Sequence, residues 1–133
     1  MNILEGTIKS VESAERSSIV EVDVKGDSLF VILLETQKTT GRLQVGRQVS
    51  LLFKETEVVV GKEPARSSLL NRLAAKISSL HQGTILSEVE MDYKGESVTA
   101  IIPSRSVKEL DLKAKDSVFW YVKINEVTLQ WNA

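Results

Sequence analysis

The chain of 133 residues has no cysteine, which removes disulfide scaffolds, thiolate metal sites and thiol nucleophiles together. It has one histidine, His81, too few to build a zinc site alone. No segment approaches the ~20 apolar residues that cross a bilayer, and the opening N-I-L-E-G has no apolar run of signal-peptide length. Charge of one sign is also missing: the net charge is −1 and the pI about 5.9, so composition gives no general pull toward nucleic acid or anionic lipid. There is no glycine-rich phosphate loop, and no nucleophile, base and orienting partner can be assembled, which argues against an enzyme. These absences leave a cytoplasmic protein without membrane or nucleic-acid partners as the expectation.

What is present is a tandem repeat. Val89–Val127 falls without a gap on Val20–Val58 at a constant offset of 69 positions. Asn2 matches Asn71, Leu4 Leu73, Glu21 Glu90, and Lys25-Gly26 Lys94-Gly95. Further along, Leu43 matches Leu112, Val49 Val118, Lys54 Lys123, and Glu57-Val58 Glu126-Val127. Self-similarity at a fixed period means one structural unit used twice. We divide the chain into residues 1–63 and 64–133, with Gly61-Lys62-Glu63-Pro64 as the linker. Each copy, at about 65 residues, is near the lower limit for an independent core, so a homo-oligomer is expected.

Period-two alternation dominates. Leu4, Gly6 and Ile8 alternate with polar residues, as do Val20, Val22 and Val24, and Gly26 and Asp27 supply a hairpin turn before the apolar run Leu29–Leu34. Glu12–Ser18 reads as a polar loop and Glu35–Arg42 as a turn or one short helix. Strands follow at Val49–Phe53 and Val58–Val60. Leu69, Leu70, Leu73, Ile77 and Leu80 stand at helical spacing, but their repeat partners in Met1–Val11 favour a strand from about Leu73. Val89, Met91 and Tyr93 then alternate, Val98–Ile102 returns, Pro103–Leu110 connects, and Val118–Val122 and Val127–Trp131 close the chain. This predicts an all-β fold: two tandem small OB-like β-barrels, each of about five strands with a short helical turn.

The second copy resembles the molybdenum-pterin-binding (Mop) or TOBE domain family. That pattern opens S-A-R-N-x-L-x-G, passes through I-T-x-x-S and L-x-L-x-x-G-x-x-V, and ends I-K-A-S-x-V. Here the corresponding residues are Ser68-Leu69-Leu70-Asn71-Arg72-Leu73-Ala74-Ala75, Ile102-Pro103-Ser104-Arg105-Ser106, Leu110–Val118 and Val122-Lys123-Ile124-Asn125-Glu126-Val127. The first copy is fainter, with Asn2, Leu4 and Gly6, then Leu43–Val49, then Lys54–Val58. Leu70 stands where the family has Arg, Pro103 where it has Thr, and Leu34 and Gln37 where copy one would have Thr and Ser.

The resemblance implies molybdate or tungstate held between domains, assembly as a small ring with a trimer favoured, and a role in molybdenum storage or homeostasis. The alternative it leaves is a regulatory or protein-interaction module that keeps the fold with a degenerate ligand site. A partly dehydrated dianion needs converging N–H and hydroxyl donors and at least one cation. The matching positions are Ser68 and Asn71, the backbone of Leu69 and Leu70, Ser106, and Lys123; copy one offers Asn2 and Lys54. Read by themselves, Ser104 and Ser106 are turn residues with a possible binding role, and Lys54 and Lys123 are strand-end lysines of the kind that snorkel. Arg66, Arg72 and Arg105 are the candidates to replace the missing arginine's charge. The Phe119, Trp120 and Tyr121 cluster reads as core or subunit contact.

Overall fold

The computed structural model describes residues 1–36 and 41–132. The first repeat contributes β1 (Asn2–Ser13), β2 (Ser18–Val24), β3 (Asp27–Leu33), β4 (Gln48–Phe53) and β5 (Val59–Gly61). The second contributes β6 (Asn71–Gln82), β7 (Leu86–Tyr93), β8 (Glu96–Pro103), α1 (Ser104–Glu109), β9 (Ser117–Val122) and β10 (Thr128–Trp131). A three-residue 3-10 turn precedes each repeat's last strand, at Glu55–Glu57 and Ile124–Glu126. The strands form two antiparallel five-stranded sheets, ordered β10-β4-β1-β2-β3 and β5-β9-β6-β7-β8.

Each sheet takes its outermost short strand from the other repeat. β5 pairs with β9 through Val59↔Tyr121 to Gly61↔Phe119, and β10 pairs with β4 through Thr128↔Leu52 to Trp131↔Val49. The 69-residue offset carries one pairing onto the other, so the exchange is reciprocal.

Local chemistry explains the elements. Val20, Val22 and Val24 are buried while Glu21 and Asp23 face outward, the one-sided pattern of a strand. The hairpin turns have positive φ at both central residues, 52° and 90° at Lys25-Gly26 and 49° and 92° at Lys94-Gly95, the turn whose twist matches paired strands. The long strands β1 and β6 each slip register once, between Ile8 and Ser10 and between Ile77 and Ser79. At each slip a loop docks on the bulge: Gly46 N–H donates to Ile8 O at 2.8 Å and Lys115 N–H to Ile77 O at 2.7 Å.

Several expectations change. Glu12–Ser18 is not a loop: Ser13 pairs with Ser18, leaving only residues 14–17 in the turn. In the second repeat the equivalent extension carries β6 through His81 and Gln82. A strand needs backbone partners rather than apolar side chains, and polar residues on a solvent face misled the reading. The helical spacing of Leu69–Leu80 yields to the ladder, and β6 runs unbroken from Asn71. The connector Pro103–Leu110 holds the short helix α1. Of the Glu35–Arg42 segment, residues 37–40, including Gln37, lie outside the described residues.

One continuous apolar core spans both repeats. At its centre Trp120 is fully buried, stacked on Phe53 with ring centroids 5.4 Å apart and met edge-on by Tyr93 at 5.5 Å. Two of these rings come from the second repeat and one from the first, so the two halves share a centre. The Tyr93 hydroxyl donates to Asp27 Oδ2 at 2.7 Å and lies 3.2 Å from Val24 O. Burial, then the Asp27 hydrogen bond and charge, push its ionisation well above the usual phenol range. Above it the hairpin tips exchange ion pairs, Lys94 to Asp27 at 3.1 Å and Lys25 to Glu96 at 3.4 Å.

Candidate functional site

Asn2 and Asn71 occupy the first positions of β1 and β6, and both are buried. Asn71 Oδ1 accepts from Phe30 N–H at 2.7 Å and its Nδ2 donates to Phe30 O at 2.9 Å. Asn2 does the same to Thr99, at 2.8 Å in both directions. Phe30 and Thr99 are themselves equivalent positions. Each asparagine therefore pairs with the exposed backbone of the other repeat's edge strand, and its amide is committed to joining the repeats rather than to a ligand.

The chain around Asn71 does build a recess. Ser68, Leu69 and Leu70, at the end of the linker, meet Lys123 and Ile124, at the end of β9, around a cavity of about 210 Å³. β6 and β9 are paired, Asn71 to Val122, so the residues just before one strand and just after the other must be neighbours. The linker is held in place from behind: Tyr121 Oη accepts from Ala65 N–H at 3.2 Å, and the Arg72 guanidinium donates to Ala65 O at 2.8 Å. Ser67 Oγ accepts from Leu69 N–H at 3.2 Å. The lining residues bring one lysine and one serine hydroxyl and no carboxylate, and of the three linker amides that of Leu69 is already donated to Ser67. At ~30 Å³ per water, it has room for a small tetrahedral ion and part of its hydration shell. All five lining residues belong to the second repeat, whereas the resemblance implies a ligand held between domains.

The equivalent place in the first repeat differs in charge. Lys54 lines a cavity of about 160 Å³ with Met1, Phe53, Glu57, Asn125 and Glu126, drawn from both repeats. Glu55, the counterpart of Ile124, accepts from the Met1 ammonium at 2.5 Å. That hydrogen bond holds the Glu55 carboxyl below its usual range. With the Met1 ammonium taken up by Glu55, one lysine is left facing two glutamates here. A carboxylate ~6 Å from a dianion opposes it by about 1 to 5 kcal/mol as the effective dielectric falls from 80 to 20.

The remaining predicted residues lie elsewhere. Ser104 is buried; its hydroxyl donates to Gly83 O at 2.7 Å and pairs with Ser87 Oγ at 2.7 Å, closing the base of α1 onto the β6–β7 turn. Ser106 lines a different cavity, of about 270 Å³, with Thr56, Val59, Ile102, Pro103 and Leu110. Arg66 and Arg105 are exposed. Of nine predicted positions, Ser68, Leu69, Leu70 and Lys123 come together, and Asn2, Asn71, Ser104, Ser106 and Lys54 do not join them. Sequence reasoning matched Glu57 to Glu126 by offset but gave neither a place in a cavity. It left the change from Glu55 to Ile124 unread, although the same offset displays it.

Among the described residues no group of His, Asp and Glu could hold a metal ion, and no helix is long and apolar enough to cross a membrane.

Fold and recess together define a class: a tandem, strand-exchanged pair of small β-barrels with a small recess beside the linker. The sequence matches the TOBE domain family twice, over residues 1–60 and 67–129, and the chain belongs to that family. A solved structure of the cytoplasmic molybdate-binding protein ModG, with molybdate bound, superposes with a TM-score of 0.90 at 24% identity, over 98% of this chain and 96% of that one. A molybdate-binding protein from Sporomusa ovata aligns over 44% of this chain and 88% of its own, at 37% identity and a TM-score of 0.43. No curated protein sequence matches the chain.

Proposed function

We propose that this protein is a cytoplasmic binding protein for a tetrahedral oxyanion, molybdate or tungstate, serving molybdenum storage or homeostasis. One observation carries the reading: Ser68, Leu69 and Leu70 meet the sequence-distant Lys123 around one cavity whose lining includes a cation and a hydroxyl but no carboxylate. Fold likeness to the molybdate-bound cytoplasmic ModG supports the choice of anion and of compartment. The functional units are residues 1–63 and 64–133, and the chain works as a homo-oligomer, a trimer by the family resemblance. Exposed Val59, Leu70, Ile85 and Leu86 support association. Neither nucleic acid nor membrane is a partner on this reading.

The test is thermal unfolding in molybdate, tungstate or sulfate. At ~100 times its Kd, a ligand of the native state adds ~2.7 kcal/mol, which raises Tm by roughly 10 °C in a chain of this size. The reading expects that shift with molybdate or tungstate and a smaller one with sulfate; an unchanged Tm at millimolar anion overturns it. A second reading, a regulatory or interaction module without a ligand, is favoured by the two asparagine amides being taken by the repeat junction. It predicts the unchanged Tm.

A further inference from the structure

The offset that relates the repeats also relates their cavities, and the two are not equivalent in charge. In the second repeat Lys123 stands beside Ile124, Ser68 and two leucines. In the first, Lys54 stands with Glu57 and with Glu126, which the second repeat sends across the junction. Glu126 reaches the first cavity because its 3-10 turn directly precedes β10, the strand exchanged into the first sheet. The corresponding turn of the first repeat carries Glu57, which does not line the second cavity. Strand exchange therefore adds a carboxylate to one cavity and none to the other.

We infer that each chain holds a single dianion, in the second repeat, and that Glu57 and Glu126 exclude anions from the equivalent cavity of the first. This inference rests on the oxyanion reading and assigns its stoichiometry and its selectivity. A dianion entering the first cavity meets Glu57 and Glu126 against Lys54, because the Met1 ammonium that also lines it is already paired with Glu55. In the second it meets one opposite charge and neutral donors. Lys54 and Lys123 occupy the same place at the end of equivalent strands, so what separates them is the neighbours rather than the lysine. Glu57 and Glu126 act on selectivity through charge alone, and their neutral amides should reverse it.

Isothermal titration of the full chain with tungstate tests this, with circular dichroism confirming that each variant is folded. One site per chain is expected. Lys123→Ala should weaken it at least tenfold, with Lys123→Gln as a second variant that keeps the stem, while Lys54→Ala should leave it within twofold. The double variant Glu57→Gln/Glu126→Gln should gain a second binding event, which Lys54→Ala then removes. Two sites in the unaltered chain, a fractional site per chain, or loss of binding in Lys54→Ala overturns the single-site inference and leaves the oxyanion reading standing. A double variant that stays at one site overturns the role of the glutamates. No binding of tungstate or molybdate by the unaltered chain overturns the oxyanion reading and this inference together.

Discussion

The two repeats agree in backbone and diverge in side chains. Strand pairing, bulges, hairpin turns and asparagine contacts map onto one another across 69 positions, yet Trp120 faces Leu51 in that comparison, Tyr93 faces Val24, Lys115 faces Gly46 and Ile124 faces Glu55. The shared features are those made by backbone groups, which tolerate most side chains. Of the divergent ones, Trp120, Leu51, Tyr93 and Val24 fill the common core, Ile124 lines a cavity, and Lys115 and Gly46 sit in the bulge loops. Duplication fixed the scaffold twice, and the second copy supplies most of the aromatic centre together with the cavity that suits an anion.

Removing the core's asymmetry should have the largest effect. Trp120→Ala should cost about 4 kcal/mol and Leu51→Ala about 3 kcal/mol, read by urea unfolding, because both leave voids in one shared centre. Both variants should unfold in a single transition; two transitions would show that the repeats are separable. The asparagines sharpen the comparison from the other side. Asn2→Ala and Asn71→Ala each strand one N–H and one C=O of the opposite repeat, and each should cost about 3 kcal/mol. A difference above about 1 kcal/mol between them would break the equivalence.

Tyr93 has no partner of its kind in the first repeat, and it predicts an alkaline asymmetry. Its folded-state ionisation lies above that of the unfolded chain, so its contribution is fully present below the unfolded value near ~10 and is lost as pH rises beyond it. Tyr93→Phe should flatten that alkaline decline in a pH series of Tm. The smallest effect belongs to the bulge loops. Gly46 and Lys115 both hold positive φ, 93° and 76°, and a side chain there costs about 1 kcal/mol. Lys115→Gly should therefore stabilise and Gly46→Ala destabilise by about that amount, as measured by Tm.

The repeat, the strands and the hairpins were legible because alternation and offset are written in neighbouring residues. Strand exchange was not, since Val59–Gly61 and Thr128–Trp131 look the same whichever sheet they join. That Ser68 and Lys123 would be neighbours was legible because motif spacing places them at adjoining strand ends. Asn2 and Asn71 read as ligand donors by the same logic, and their amides are found on the opposite strand, a contact no motif spacing displays. Glu126 was unreadable as a neighbour of Lys54, because that contact exists only after β10 crosses to the first sheet.

The most direct test is anomalous diffraction from crystals grown or soaked with tungstate, where the heavy atom marks its own position. The account predicts one strong peak per chain within hydrogen-bonding reach of Lys123 Nζ and Ser68 Oγ. A peak beside Lys54 and Glu57, or no ordered peak at Lys123, would contradict it.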